Sequence, residues 1–558
     1  MNRDVVVYGG TVSGIAAALA ASRMGCSTML IERGDHFGGM TASGLGSIDT
    51  LRDNAFGGIF YEFLNRVRQY YVETYGNGSE QFRLTYGGYF MEPHVAERIL
   101  NDMMGSQDHL TTLKRHELRR VLKHGDAVIA SEYLDRDSGE MLRVSHNVAI
   151  DGTYEGDLAA AAGVNCRIAR EGRKDYGERF AGEIYYDWRY HRQEILPEST
   201  GEPSEFLQAN CFRLTVTDDL AERIPFSRPT SYRDFYSHYQ CLIDDLNTGR
   251  IRFLRDILWL NTLANRKYCV NGHIEALTSL DLAELSTAWV KADWDGREEL
   301  YQRYRAYSEG LFYFLQNDPS FPTIMREEAR CFGLPKDEYA GEGHFPWQLY
   351  VRQGRRIIGE YVITEHDSIP EPGRERPPIH KDSIGIFEHS FDSHACRDRQ
   401  VAGATVRAQD GFDLIEGAIW FRCNRSKNAK RVVNRPGTIP YRSVLPENVD
   451  GLLVPAALSA TSVAYSAIRM EPAWMSTGQA AGVAAALSIF QKASVRRIDT
   501  RQLQKLLLDQ GQVLVYFTDL PLDDSDFATV QLMALEENCP VYESAGLKRQ
   551  VSKVNGAE

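Results

Sequence analysis

Val5-Val6-Val7-Tyr8-Gly9-Gly10-Thr11-Val12-Ser13-Gly14 begins the stretch that decides the fold, and Thr28-Met29-Leu30-Ile31-Glu32 ends it. Val5 to Tyr8 is a short continuous apolar run, the pattern of a strand buried on both faces of a parallel sheet. Glycines follow at once. Ile15 to Met24 is then an alanine-rich run of high helix propensity that stops at Gly25, where glycine can take the left-handed conformation that closes a helix. A second apolar strand, Thr28 to Ile31, delivers the acid Glu32. Strand, glycine turn, helix, strand and terminal acid in this order predict a βαβ unit that holds the ADP half of a dinucleotide.

The physical logic assigns each residue a task. Gly9 allows the tight strand-to-helix turn, and Gly14 lets helix and sheet pack closely. The unpaired amides at the helix start, among Gly10, Thr11 and Ser13, face a pyrophosphate. Glu32, with Arg33 beside it, lies at the right distance to accept ribose hydroxyls, and its charge would repel a 2′-phosphate, which disfavours NADP. Thr11 departs from the generic fingerprint, which has glycine there. A second glycine-rich stretch, Gly38-Gly39-Met40-Thr41-Ala42-Ser43-Gly44-Leu45-Gly46, follows soon after the acid. Backbone this bare can approach an extended cofactor such as FAD, so Gly38, Gly39, Met40, Thr41 and Ser43 are candidate contacts. Taken alone, the same stretch would equally be a flexible loop.

Composition bounds the rest. A chain of 558 residues, 43% hydrophobic and 25% charged, is too long for one simple core, and two or more lobes are expected. The net charge of −13 provides no basic footprint, so nucleic acid is not an expected partner. Nine scattered cysteines without a CxxC pair fit a reducing compartment. The first apolar run starts at Val5 and leaves no room for a leader, so a cytoplasmic location is expected. Apolar stretches such as Ala480 to Phe490 fall short of the roughly 20 residues that cross a bilayer, so no membrane partner is expected. No metal set is expected either, and a homo-oligomer or a redox partner stays open.

The opening residues together with Glu32-Arg33-Gly34 and Gly38-Gly39-Met40 resemble the FAD-dependent oxidoreductase family whose members begin GGTxxG and continue through E-R-G-x-x-x-G-G-M, some of them loosely labelled xanthan lyases. Further blocks similar to the family are Tyr89 to His94, Asp151 to Leu158, Leu349 to Arg352, Ile358 to Tyr361, Asp392 to His394, Ile439 to Arg442 and Arg469 to Gly482. Cys166 to Asp256 and the last dozen residues lack such blocks, and substrate choice is expected in the former. The resemblance implies a glutathione-reductase-like α/β fold: a discontinuous Rossmann-like FAD domain with an inserted α+β substrate lobe and a helical tail. Residues 1–165 and 381–492 would form the FAD domain, 166–380 the lobe and 493–558 the tail.

Thr11 agrees with the family, and its hydroxyl would then donate to a phosphate oxygen. Val148-Ala149-Ile150 reads as a late strand that runs into Asp151-Gly152-Thr153, a turn that approaches the flavin diphosphate in the family. Gly156 and a helix from Asp157 follow. Asp-Gly also favours tight turns for its own sake. Leu452 to Pro455 reads as another strand, and Met470-Glu471-Pro472 starts a helix that carries Met475, Gly478 and Gln479. The resemblance implies that this helix start faces the flavin's pyrimidine edge. Tyr185 to His191 and Asp293 to Tyr307, both aromatic and charged, suit helices and a pocket wall. Thr500 to Gln510 is helical by period and would pack on the protomer or a partner.

For chemistry, histidine suits proton removal near neutral pH, and His394, with His389 before it, is the candidate base. An isolated histidine is more often a structural group. Tyr441 and Arg442 would orient a polar substrate. Arg469 would stabilise reduced flavin, clamp a carboxylate, or form a structural ion pair. There is no second glycine fingerprint, no redox cysteine pair, and no Gly-Asp pair near Leu452 to Ala460. No histidine lies in Gly38 to Gly46, so FAD is expected to be noncovalent. The expected activity is a dehydrogenase or oxidase that moves a hydride from a hydroxylated, sugar- or polyol-like molecule, or an amine, to FAD. The alternatives are a flavin reductase or monooxygenase fed by an external reductant, and a protein whose FAD is structural or regulatory.

Overall fold

A computed structural model describes residues 1–536, apart from 53, 190–191, 275, 375 and 421–433. Strand β1 (Asn2–Tyr8) lies at the centre of a seven-stranded sheet, and its apolar end, Val5 to Tyr8, is fully buried. It pairs in parallel with β2 (Thr28–Ile31) on one side and with β6 (Met141–Asp151) on the other. β3 (Leu110–Leu113) extends the parallel edge beyond β2, while β4 (His116–His124) and β5 (Ala127–Asp135) form an antiparallel meander with β6. The strand order is therefore β3-β2-β1-β6-β5-β4.

The C-terminal end of β6 has a second parallel neighbour, Leu452–Leu453, which pairs with Ala149 and Ile150. That strand returns from far along the chain, and the helix Glu471–Gln491 returns with it to cover α1 (Val12–Arg23). Small residues make this helix pair possible. A Cβ on Gly478 would stand 2.1 Å from Ser13 O, and one on Gly482 would stand 2.2 Å from Ala17 O, so the two backbones touch. Glu471 through Ser488 are buried on all sides of the helix, as befits an element at the centre of a large protein. α1 ends as its sequence predicts, with Gly25 at φ +88°.

The intervening lobe has its own three-stranded antiparallel sheet, with Lys267–Gly272 between Leu214–Thr217 and Leu258–Thr262. The helices Tyr236–Asn247 and Trp294–Asn317 supply a largely aromatic core, in which Phe226 stacks on Phe312 at 4.3 Å and Tyr239 donates to Tyr307 O. The helix expected at Asp293 to Tyr307 is present. Tyr185 to Arg189 is not helical: Tyr186 and Asp187 form a short strand with Glu194 and Ile195. Arg189 holds the buried Asp187 two residues before it and also reaches Asp410, a distant partner that no local period announces. Residues 190 and 191 of that stretch lie outside the described residues.

The segment from 493 packs on its own chain. The helix Thr500–Asp509 buries Leu503, Leu507 and Leu508, with Leu506 at its margin. Gln504 donates to the carbonyls of Lys381 and Ser383, and Gln512 donates to Ser476 O. Residues 537–558 of the tail lie outside the described residues. Among the described residues, no helix is long and apolar enough to cross a membrane.

Gly482→Ala should force α1 and its partner helix apart, since its Cβ would meet Ala17 O at 2.2 Å. Overpacking of this kind costs about 1–3 kcal/mol. Gly105→Ala, with nothing within 4 Å of the new Cβ, is the neutral control. Urea midpoints of the two variants should separate accordingly, and equal midpoints would contradict the contact.

Candidate active site

Three glycines bring three backbone segments together at the C-terminal ends of β1 and β6. A Cβ on Gly14 would lie 1.9 Å from Gly9 O, and one on Gly152 would lie 2.7 Å from Gly14 Cα. Gly9 itself turns the chain at φ +102°. Thr11 caps α1: its hydroxyl accepts from Gly14 N at 3.3 Å and donates to Gly152 O at 2.6 Å. It therefore joins the two glycine turns, and its proton is spent there rather than on a phosphate. Ser13 Oγ is buried at the helix start with no partner among the described residues. A side-chain-free cradle with a spare hydroxyl and a helix N-terminus suits a diphosphate.

Beside the cradle lies a cavity of about 340 Å³, lined from the nucleotide side by Gly9, Thr11, Glu32 and Arg33 and from the lobe by Trp289 and Trp294. Glu32 accepts the amides of Gly10 at 2.6 Å and Gly34 at 2.7 Å. Burial raises its pKa, and those amides oppose the rise. Arg33 lies over the Trp294 ring at 4.4 Å and pairs with Glu117 at 3.0 Å. Arg297 packs on Trp294 from 4.7 Å and holds Asp157 through two bonds of 2.6 and 2.8 Å.

The second glycine stretch turns through Gly38 and Gly39, both at positive φ, into a short 3₁₀ turn over Gly39–Ala42. A Cβ on Gly39 would meet Tyr154 Oη at 2.3 Å. That hydroxyl accepts Met40 N–H at 3.0 Å and donates to Glu471 Oε1 at 3.0 Å, while Thr41 donates to Glu471 Oε2 at 3.3 Å. Ser43 accepts Gln348 N–H at 3.0 Å. The start of the Glu471 helix thus meets the Gly38–Gly46 stretch. Glu471 and Tyr154, unnamed as candidates, make this junction, and their only sequence signal was a place inside the family-like blocks. Burial pushes Glu471 up to about 8.

Other candidates have local duties. Asp151 accepts Thr153 N and Oγ1 through one oxygen and Ala159 N through the other, so it organises its own turn, with Gly156 at φ +70°. Burial raises it to about 6. Met475 is buried one turn into the helix, Gly478 packs on α1, and Gln479 links Ile59 N to Gln510. Tyr441 donates to Val495 O, and the half-exposed Arg442 pairs with Asp382 at 3.0 Å. The structure does not bring Tyr441, Arg442 or Gln479 to the junction.

It does bring Arg469 and His394 together. Arg469 donates to Tyr350 Oη and to Asp392 O, both at 2.7 Å, with the Asp392 carboxylate at 3.4 Å. His394 Nδ1 lies 2.6 Å from Asp281 Oδ2, and Nε2 lies 3.5 Å from Asp392 Oδ1. Arg352 completes the set at 2.8 Å from Asp281 Oδ1. Burial would raise both carboxylates, yet Arg352 and His394 hold Asp281, and His394 and Arg469 hold Asp392, below the ordinary range. His389 also acts electrostatically on Asp392, while its Nδ1 lies 2.9 Å from Ser390 O. Tyr350 and Arg352 sat in a family-like block, but Asp281 had no local signal. Elsewhere Glu92, His94, Asp337 and Glu338 gather in a metal-like group, but Lys267 Nζ already reaches Glu92, Asp337 and Glu338 at 2.6 to 2.8 Å.

A mixed sheet whose central parallel strands end in a glycine cradle has the architecture of a dinucleotide-binding fold. The family model described as FAD dependent oxidoreductase matches residues 4–507, and the chain belongs to that family. No curated protein matches the sequence. Among solved structures, the L-proline dehydrogenase from P.horikoshii is 13% identical over 31% of this chain and 25% of its own, with a TM-score of 0.18. The flavin-dependent monooxygenase PieE is 16% identical over 30% and 33%, with a TM-score of 0.21. THI4 of Thermovibrio ammonificans is 16% identical over 30% and 66%, also with a TM-score of 0.21. The matched stretch spans a quarter of the proline dehydrogenase's length and a third of PieE's.

The Glu471 shift carries a sign. The native chain keeps the proton up to about pH 8, whereas the unfolded chain releases it near 4.5. Native stability through this group is therefore lost as pH rises from 4.5 to 8 and is level above. Glu471→Gln should flatten that part of the urea midpoint against pH curve; an unchanged slope would place the proton elsewhere.

Proposed function

We propose that this enzyme oxidises a hydroxylated small molecule at the His394–Asp281–Asp392 cluster, with noncovalent FAD as the acceptor. The supporting observation is the 2.6 Å contact of His394 with Asp281, set beside Arg469, which immediately precedes the helix that meets the Gly38–Gly46 stretch. FAD, when bound, supplies a two-electron acceptor for the hydride of a substrate C–H bond. Gly9, Gly14, Gly152 and Ser13 would cradle its diphosphate and Glu32 its ribose.

The protein's own task is proton transfer. Asp281 accepts from His394 Nδ1 and fixes the tautomer that leaves Nε2 as the acceptor. Nε2 stands 3.5 Å from Asp392, longer than a hydrogen bond, and is left to accept from a substrate hydroxyl. As the C–H bond gives up its hydride, His394 Nε2 takes the hydroxyl proton, and the adjacent Asp392 carboxylate stabilises the imidazolium. His394 is 4% exposed, which keeps bulk water from the exchange.

A second reading is a flavin reduced by an external nicotinamide, as in a reductase or monooxygenase. Anaerobic mixing separates the two. A sugar, polyol, hydroxy acid or amine should bleach the flavin, whereas bleaching by NADPH alone would favour the second reading. Bleaching by neither would make the flavin structural. His394→Gln should slow reduction by about 10²–10⁴-fold with FAD content unchanged. Denaturation in SDS should release all the yellow colour; retained flavin fluorescence on the chain would refute noncovalent binding.

A further inference from the structure

We propose that the substrate is a monocarboxylic hydroxy acid whose carboxylate is held by Arg213, next to Arg352 and Arg469; the inference rests on the oxidation reading above. The cluster holds three buried guanidiniums: Arg352 is 0%, Arg469 1% and Arg213 2% exposed. A guanidinium stays charged at any physiological pH, and burying one without a counter-charge is unfavourable. Arg352 has the Asp281 carboxylate at 2.8 Å and Arg469 has that of Asp392 at 3.4 Å. Arg213 donates to Cys269 Sγ at 3.3 Å, and its nearest carboxylate among the described residues, Asp49, lies 4.0 Å away with a side chain 41% exposed. Three guanidiniums thus face two well-placed carboxylates and one distant, partly exposed one, so the charge of Arg213 is the least compensated.

The unmet hydrogen-bonding capacity has one sign as well. Nε of Arg213, of Arg352 and of Arg469 is in each case buried with no partner. Arg352 and Arg469 both flank the Tyr350 ring, at 4.9 and 5.6 Å from its centroid. Arg213 approaches from the cofactor side: a Cβ on Gly44 would meet its carbonyl oxygen at 1.8 Å, so its backbone presses on the Gly38–Gly46 stretch. Donors without acceptors call for an acceptor-only group, and a single under-compensated cation calls for a monoanion. A carboxylate meets both conditions and matches the planar fork of arginine. A neutral diol leaves the charge unbalanced, and a phosphate dianion overshoots it. Arg213, Arg352 and Arg469 all act on the Tyr350 phenol, which puts a carboxylate on Arg213 beside the cluster that holds His394.

The test uses the oxidised FAD-loaded enzyme and propionate as the probe, followed by the flavin difference spectrum and by calorimetry, with glycerol and inorganic phosphate as controls. Propionate should bind and glycerol should not, with phosphate weaker than propionate. Arg213→Met should weaken propionate binding about 10- to 100-fold, the worth of a hydrogen-bonded charge. Asp49→Asn, which removes the competing carboxylate, should tighten it; this variant tests the same claim should Arg213→Met not fold. Unchanged propionate binding in Arg213→Met, weaker binding in Asp49→Asn, or tighter binding of phosphate or glycerol would overturn the inference. Bleaching by neutral polyols without propionate binding would overturn it and leave the oxidation reading intact. Propionate binding lost in Arg213→Met, with no hydroxylated compound able to bleach the flavin, would do the reverse.

Discussion

Where Gly9, Gly14 and Gly152 meet, there is no room for a side chain: the carbonyl of Gly9 occupies the place where a Cβ on Gly14 would be, 1.9 Å away. This backbone-on-backbone contact sets how β1, α1 and β6 converge, and Thr11 locks it by bonding both Gly14 N and Gly152 O. The same economy continues outward. Because Ser13 and Ala17 are small, Gly478 and Gly482 seat the Glu471 helix directly on α1. The helix start is thereby delivered to the Gly38–Gly46 stretch, and Arg469, just before it, to the acid–base cluster.

Burial treats the acids of the two polar regions differently. Glu471 has only hydroxyl partners, and burial pushes it up to about 8 even though it stands at a helix N-terminus. The helix end offers typically 0.3–1 kcal/mol to a charge, against several for desolvation, so desolvation wins. Asp281 and Asp392 are buried too, yet arginine and histidine keep both below the ordinary range. Breaking such a buried pair costs about 3–5 kcal/mol, so these charges persist only as a set. The one member without a close counter-charge, Arg213, is the place where a ligand completes it.

What could be read from the chain alone was local. The β1–α1–β2 unit, the positive φ of Gly25, the turn after Ile150, the strand at Leu452 and the helix from Glu471 follow from apolar runs, glycine and proline within a few residues of one another. These depend on backbone sterics and on the period of burial, and both are written in neighbouring residues. The glycine turns at the ends of β1 and β6 were legible for the same reason, although the Thr11 hydroxyl, expected to donate to a phosphate, donates to Gly152 O, and Asp151 organises its own turn.

Which polar side chains meet was decided by the tertiary structure. Tyr441 and Arg442 share a motif with plausible chemistry, but Val495 O and Asp382 claim them. His394 and Arg469 were separate candidates, and they join only because Asp281, Asp392, Tyr350 and Arg352 converge from three parts of the chain. A buried charge finds its partner across the fold, not along the sequence. The sequence therefore determined the family's nucleotide scaffold, and the packing of distant segments decided which residues became the acid–base cluster.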